Sequence, residues 1–376
     1  MKTITCFVVL LIMAVSAYGE IYNTDAVNLS GNLDISIKNI EIDGTPFNLN
    51  MTRHFQTSDP DGLYWKYLSA ESGLQMQKVN IKTFTYDESE PLERHQLDIY
   101  YTDNPQQNQV ILFVPGGAWR QGDKSLYASL GNTLAGYHDF TVVVANYMLS
   151  NDEGGNAIHP DHITDVANAF AWVKKNISSY GNSSRIYLFG QSAGAHLVSL
   201  LATDATYLNS VGYSTSEIKA VISMSGTYYL PDFVTLPDNP LGLTAEEIVM
   251  YKAIMQGAFG GWSDDQLISP SPQVHISSSQ PPFLVICTYN DLPGFRQSAE
   301  NFVKAVKELD PEPEISLRGI EFSDYTDDVW KSATEMAAKE PTMAQYVGHW
   351  AEVIAINQEE PAGYITKLIV EFLQSH

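Results

Sequence analysis

Five largely apolar runs punctuate the chain, at residues 110–114, 141–145, 186–189, 220–224 and 283–287. Runs of this length without polar alternation suit strands buried on both faces, as in a parallel sheet. Between them the period lengthens. Across 161–176 the residues Ile163, Val166, Ala167, Phe170 and Val173 recur at helical spacing, with Pro160 before them and Asp161 placed to cap the helix. Ala299, Phe302, Val303, Val306 and Leu309 make a second stripe, and Ile365, Leu368, Ile369 and Phe372 a third near the C-terminus. Residues 79–86 and 97–101 predict an opening strand pair. Strand–helix alternation of this kind predicts an α/β fold: a mostly parallel, doubly wound sheet flanked by helices, with ligands outside the carboxyl ends of its strands.

Two stretches break the rhythm. Residues 20–75 are polar, rich in Asn and Asp and weakly patterned, and are expected to form an N-terminal extension to a main domain spanning 76–376. Residues 227–280 carry several prolines, the pair Tyr228-Tyr229 and a helix predicted over 244–256. They form either a cap insertion over the strand ends or a plain surface excursion. At the N-terminus, Lys2, an apolar stretch over 6–15 and the small residues Ser16, Ala17 and Gly19 have the layout of a cleavable signal peptide over 1–19. The expected location is therefore secreted or periplasmic. No later segment is apolar for long enough to span a bilayer, so no stable membrane insertion is expected.

Composition narrows the partners. Of 376 residues, 44% are hydrophobic, enough for a core. The net charge of −23, from 44 acidic and 21 basic side chains with no basic run, repels nucleic acid and anionic membranes. Once Cys6 leaves with the signal segment, Cys287 stands alone inside an apolar strand and reads as a buried, inert thiol. Asn28, Asn50, Asn176 and Asn182 each begin an N-x-S/T sequon, of consequence only where a host glycosylates. Composition says nothing of oligomeric state.

Candidate chemistry centres on Gly190-Gln191-Ser192-Ala193-Gly194, which follows the run 186–189 and precedes a small-residue helix over 195–202. A G-x-S-x-G pentapeptide is weak alone. Between a strand and a helix it predicts a nucleophile elbow, a tight turn that lifts the hydroxyl of Ser192 off the sheet. Serine needs a base, and the base an orienting carboxylate, in the chain order Ser, acid, His. Asp291 lies just past the strand 283–287, where an acid would be presented beside the nucleophile. Of the histidines after it, His376 is terminal, which leaves His349. His196 rides the nucleophile helix away from the hydroxyl and is read as a packing residue. For the oxyanion of acyl transfer, backbone N–H donors are expected from Ala193 and from the glycine-rich stretch 115–119 after the strand 110–114. Trp119, Gln191 and Trp350 are candidate substrate contacts. No metal or cofactor site is expected.

Residues 79–372 resemble the esterase–lipase branch of the α/β-hydrolases, near hormone-sensitive-lipase-like and feruloyl-esterase-like members and kynurenine formamidase. The resemblance is carried by 115–119 with 122–124, Asp165-Val166 with Trp172-Val173, 190–197, and Ser269-Pro270 with 281–283. It implies a metal-independent carboxylic-ester hydrolase with Gly116, Gly117 and Ala193 as oxyanion donors. The sequence departs from that pattern at Pro115, where the family has His, and at Cys287-Thr288, where it has His-Gly. It also departs in the 26 residues between Phe322 and His349. That insertion puts Tyr325, Trp330 or Tyr346 in reach of the pocket.

The leading expectation is therefore a secreted serine carboxylesterase acting on a small-molecule ester through an acyl-enzyme. An amidase or formamidase using the same residues, and a non-catalytic binding protein on a hydrolase scaffold, are the alternatives. Nothing in the sequence names the ester.

Overall fold

The computed structural model describes residues 32–42, 45–54, 77–88, 93–150, 156–235, 239–325, 327–337, 346–358 and 363–376. Two compact units divide the chain, 1–71 and 72–376. In the first, β1 (Asn32–Ile42) pairs antiparallel with β2 (Thr45–His54), with a register shift between Ile37 and Ile40. Leu33, Ile35 and Ile37 alternate with other residues, and Ile40 and Ile42 resume the alternation one residue out of phase. A bulge absorbs that extra residue. The extension expected over 20–75 thus contains a hairpin that its Asn and Asp content concealed. The expected signal peptide, 1–19, lies outside the described residues.

The second unit is built on one eight-stranded sheet: β3 (Asn80–Thr85), β4 (Gln96–Tyr101), β5 (Val110–Val114), β6 (Thr141–Ala145), β7 (Ile186–Gln191), β8 (Ile218–Met224), β9 (Phe283–Thr288) and β10 (Ile315–Ile320). Its order is β10-β9-β8-β7-β5-β6-β4-β3. The β3–β4 and β4–β6 pairs are antiparallel and the remainder parallel. Every residue of β5, β6, β7 and β9 is buried, as their apolar runs predict. Full burial of each Val, Leu, Ile or Phe contributes roughly 1.5–3 kcal/mol, so these strands make a stiff floor. From β5 the chain passes to β6 on one side, then crosses to β7 on the other. That reversal is the switch point where doubly wound sheets open a crevice. The pairing of Val114 with Gly190 sets the ends of β5 and β7 side by side there.

Ten helices are seen among the described residues: α1 (Ala128–His138), α2 (Asp161–Asn176), α3 (Ala193–Thr203), α4 (Ala205–Ser210), α5 (Ala245–Phe259), α6 (Asp264–Leu267), α7 (Phe295–Lys307), α8 (Asp327–Ala337), α9 (Val347–Gln358) and α10 (Tyr364–Ser375). The span of α2 is the one its periodicity predicts. Its cap differs: Asp161 is already helical, and its carboxylate accepts from the Ile158 N–H. Within 227–280, α5 opens on a capping box made by Thr244 and Glu247 and closes at Gly260. Tyr251 of α5 packs edge-on against Phe233 and donates its hydroxyl to the Pro293 carbonyl, 2.7 Å away. The insertion between Phe322 and His349 contains α8.

Candidate active site

Ser192 forms the turn between β7 and α3, with φ 56° and ψ −120°. A residue with a side chain held there costs of order 1–3 kcal/mol, and the surroundings must impose it. The Ser192 N–H donates to the Met224 carbonyl at 2.9 Å, and the Ser192 carbonyl accepts from the His196 N–H at 3.0 Å. Both flanking glycines are needed by close approach. A Cβ on Gly190 would lie 2.3 Å from the Gly194 carbonyl oxygen, and one on Gly194 would lie 2.0 Å from that of Val114. Ala193 is the first residue of α3, so its N–H belongs to the unpaired end of a helix.

His349 sits in the first turn of α9 rather than on a loop. What lets α9 start so close to the loop after β9 is Gly348, where a Cβ would fall 1.6 Å from the Tyr289 carbonyl oxygen. The Gly348 N–H donates to the Asn290 carbonyl at 3.1 Å. The imidazole is thereby delivered between two partners. Its Nε2 lies 3.0 Å from Ser192 Oγ and its Nδ1 lies 2.7 Å from Asp291 Oδ1. Asp291 also accepts from the Leu292 N–H at 2.7 Å and from Ser225 Oγ at 2.5 Å. The ring of Phe295 meets the imidazole edge-on, centroids 5.4 Å apart. Burial works against a charged imidazole, but the Asp291 carboxylate and its hydrogen bond outweigh it, and the His349 pKa is raised above the ordinary value.

A second carboxyl group, which the sequence reading missed, completes this cluster. Glu352 is 0% exposed. One oxygen accepts from Gln191 Nε2 at 2.7 Å and lies 3.7 Å from His349 Nδ1. The other lies 2.7 Å from the Ser225 hydroxyl that also reaches Asp291. Burial pushes the Glu352 carboxyl up to about 8, and the nearby Asp291 charge acts in the same direction. The signal was present: His349-x-x-Glu352 is an i, i+3 pair that shares one face once 347–358 is read as a helix.

On the other side of Ser192, the loop after β5 runs through Gly117, Ala118 and Trp119 with φ values of 124°, 52° and 57°. The Tyr147 hydroxyl donates to the Pro115 carbonyl at 3.1 Å, and the Gly116 N–H donates to the Tyr127 hydroxyl at 3.3 Å. Of the expected oxyanion donors, Gly116 is thus already engaged. Gly117 and Ala193 have no N–H acceptor among the described residues. Further along, Asp123 caps the turn at Ser125, pairs with Arg94 at 3.0 Å and accepts from Asn146 at 2.7 Å. The motif residues 122–124 therefore fasten the loop.

The candidate substrate contacts fare differently from one another. The Trp119 ring is buried edge-on against His196 and Phe259, each 5.1 Å away, and Gln191 is committed to Glu352. Trp350 is half-buried, and its indole N–H has no acceptor among the described residues. His196 donates to the Pro270 carbonyl at 2.7 Å, and burial pushes its pKa down to about 3. Burial likewise pushes the Cys287 thiol up to about 12, which makes it a poor nucleophile. Of the inserted aromatics, Tyr325 bonds through its hydroxyl to Thr288. Trp330 packs against Phe322, and Tyr346 donates to Glu247 at 3.1 Å. Among the described residues no cluster of His, Cys, Asp and Glu could hold a metal ion, and no helix is long and apolar enough to cross a membrane.

A switch-point sheet with a serine at the β7–α3 turn and an acid after β9 defines an α/β-hydrolase fold. The solved esterase of Pyrobaculum calidifontis has the same fold, with a TM-score of 0.58 over 80% of this chain and 87% of that one at 17% identity. Residues 97–301, more than half of the chain, match the BD-FAE family, and the chain belongs to it. It is 31% identical over 230 residues to a Mycobacterium tuberculosis protein named "Probable carboxylic ester hydrolase LipM", covering 60% of this chain and 50% of that one. It is 30% identical over 232 residues to the isoprenylcysteine alpha-carbonyl methylesterase ICME of Arabidopsis thaliana, covering 60% and 52%. The chain thus spans about half the length of these curated relatives.

Proposed function

We propose that this chain is a serine carboxylic-ester hydrolase that works through an acyl-enzyme on Ser192, and that it is exported after loss of residues 1–19. The observation that carries the activity is the chain of contacts Ser192 Oγ, His349, Asp291, at 3.0 and 2.7 Å. Names of relatives such as a carboxylic ester hydrolase and a methylesterase support the reaction class. The export reading rests on the charge and apolar pattern of 1–19 alone.

In this reading Ser192 Oγ attacks the ester carbonyl carbon while His349 Nε2 takes the hydroxyl proton. Asp291 holds Nδ1–H and so fixes the tautomer that leaves Nε2 free to accept. Negative charge grows on the carbonyl oxygen, where the N–H groups of Gly117 and Ala193 receive it. One such donor is typically worth about 3 kcal/mol in the transition state. Collapse expels the alcohol, which takes the proton back from Nε2. Water then repeats the sequence on the acyl-enzyme and releases the acid. The packing of Phe259 beside Trp119 and the reach of Tyr251 to the acid loop support reading the 227–280 stretch as a cap rather than a surface excursion.

Replacing Ser192 by Ala tests the reading. Hydrolysis of a short p-nitrophenyl ester is expected to lose roughly four orders of magnitude in kcat. Near-full activity in the folded variant refutes it. Matched ester and amide substrates, compared by kcat/KM, locate the preference between the two bonds.

A further inference from the structure

Ser225 has a single hydroxyl proton, yet it stands between two carboxyl groups. Its Oγ is 2.5 Å from Asp291 Oδ2 and 2.7 Å from Glu352 Oε2. Both contacts can be hydrogen bonds only if one carboxyl group carries a proton of its own. The donors decide which. Asp291 accepts from the Leu292 N–H and lies 2.7 Å from His349 Nδ1, while Glu352 receives only the Gln191 amide. We infer that Glu352 is a positioning residue held as the neutral acid, donating its O–H to Ser225, which donates in turn to Asp291. This rests on the Ser192 reading above and extends it.

The arrangement has a purpose that geometry makes plain. Through Ser225 the relay fixes the Asp291 carboxylate that orients His349. Through Gln191 it fixes the residue before the nucleophile, whose Oε1 also lies 3.5 Å from the Tyr127 hydroxyl. Glu352 therefore links the strand that carries Ser192 to the helix that carries its base. Ionised, it would put a second negative charge 3.7 Å from His349 Nδ1 and leave Ser225 one proton short.

The titratable groups that act on Glu352 or feel its charge are His349 on its own helix, Asp291 after β9, Tyr127 before α1, Tyr228 after β8 and Cys287 in β9. Burial pushes Tyr127 and Cys287 up to about 12 and raises Tyr228 as well, so these three stay neutral through the neutral and mildly alkaline range. Loss of the Glu352 proton is then the alkaline event of the site. Sign follows from the raised value: the neutral relay is complete below it and is lost as pH rises through it.

The test compares pH profiles of kcat for the wild type, Glu352→Ala, Glu352→Gln and Ser225→Ala. The wild type is expected to decline about threefold to tenfold in the alkaline limb as the relay ionises. Glu352→Ala is expected to lose about 100-fold in kcat, because Ser225 and Gln191 lose their partner. Glu352→Gln, which can still donate to Ser225, is expected to recover most of that loss and to lack the alkaline decline. Should Glu352→Gln have no melting transition, Ser225→Ala carries the test. It breaks the relay but leaves Glu352 free to ionise beside His349, and is expected to lose about tenfold in kcat with a shallower alkaline limb than the wild type. A Gln variant as impaired as Ala, or variants that keep the wild-type alkaline limb, overturn the role of Glu352. Phosphonylation of the same samples separates this from the reading beneath it. Labelled Ser192 with an unchanged limb removes the Glu352 role alone, whereas unlabelled Ser192 in folded wild type removes the nucleophile.

Discussion

The two halves of the site are held by different means. Ser192 and the loop of Gly117 hang from β7 and β5, strands without exposed residues, and their geometry is imposed by backbone contact. His349, Asp291 and Glu352 meet instead through side-chain hydrogen bonds between a helix and a loop. A strand-borne position is over-determined by packing, so it survives the loss of a neighbour. A helix docked through one glycine and a few polar contacts has less in reserve. The base half should therefore be the easier one to detune without unfolding the protein.

The sharpest break comes at the acid. In Asp291→Asn an amide replaces the acceptor of His349 Nδ1–H, favouring the tautomer with its proton on Nε2, facing Ser192. We expect a loss of about four orders in kcat with little change in the melting curve. Glu352→Gln, the same chemical change at the neighbouring carboxyl, is expected to be mild. Gly348→Val comes next. Tyr289 must retreat from any Cβ at 348, and a displacement near 1 Å at His349 costs about 100-fold in kcat. Labelling of Ser192 should slow in proportion while the melting temperature of the sheet stays within a few degrees.

Smaller effects lie on the strand side. Tyr127→Phe removes the acceptor of the Gly116 N–H and is expected to cost about fivefold in kcat, with KM nearly unchanged. The smallest concerns stability. Burial depresses His159 to about 4 and His162 and His196 to about 3. A depressed pKa stabilises the fold above the unfolded value, about 6.5, and the contribution fades as pH falls toward the folded values. Melting temperatures should therefore fall progressively below about pH 6. In the proposed mechanism activity falls sooner, because the His349 pKa is raised rather than depressed and a general base there has to be neutral to accept a proton.

This contrast also governs what could be read from the sequence. The sheet was legible because β5, β6, β7 and β9 each carry a nearly continuous apolar run, and the turn at Ser192 because glycines two positions to either side admit few other geometries. Asp291 followed from its place after a strand. His349 was reached by chain order alone, and the helix that bears it was not foreseen: Gly348 at its start and the mixed pattern of 347–358 gave no clear cap or stripe. Glu352 and Ser225 depend on that helix and on the end of β8, so their convergence was invisible until the register was known. The oxyanion donors were read from glycines, whereas the structure spends the Gly116 N–H on Tyr127, a residue ten positions beyond the glycine pair. The hairpin of 32–54 was hidden because a bulge splits its alternation into two short pieces.

Fluorophosphonate labelling followed by peptide mapping of the adduct tests the central claim most directly, on wild type and on His349→Ala. A single adduct on Ser192 in the wild type, lost or greatly slowed in a His349→Ala protein that still melts cooperatively, is the result predicted. An adduct on another residue, no adduct on folded wild type, or equal labelling without the imidazole contradicts it.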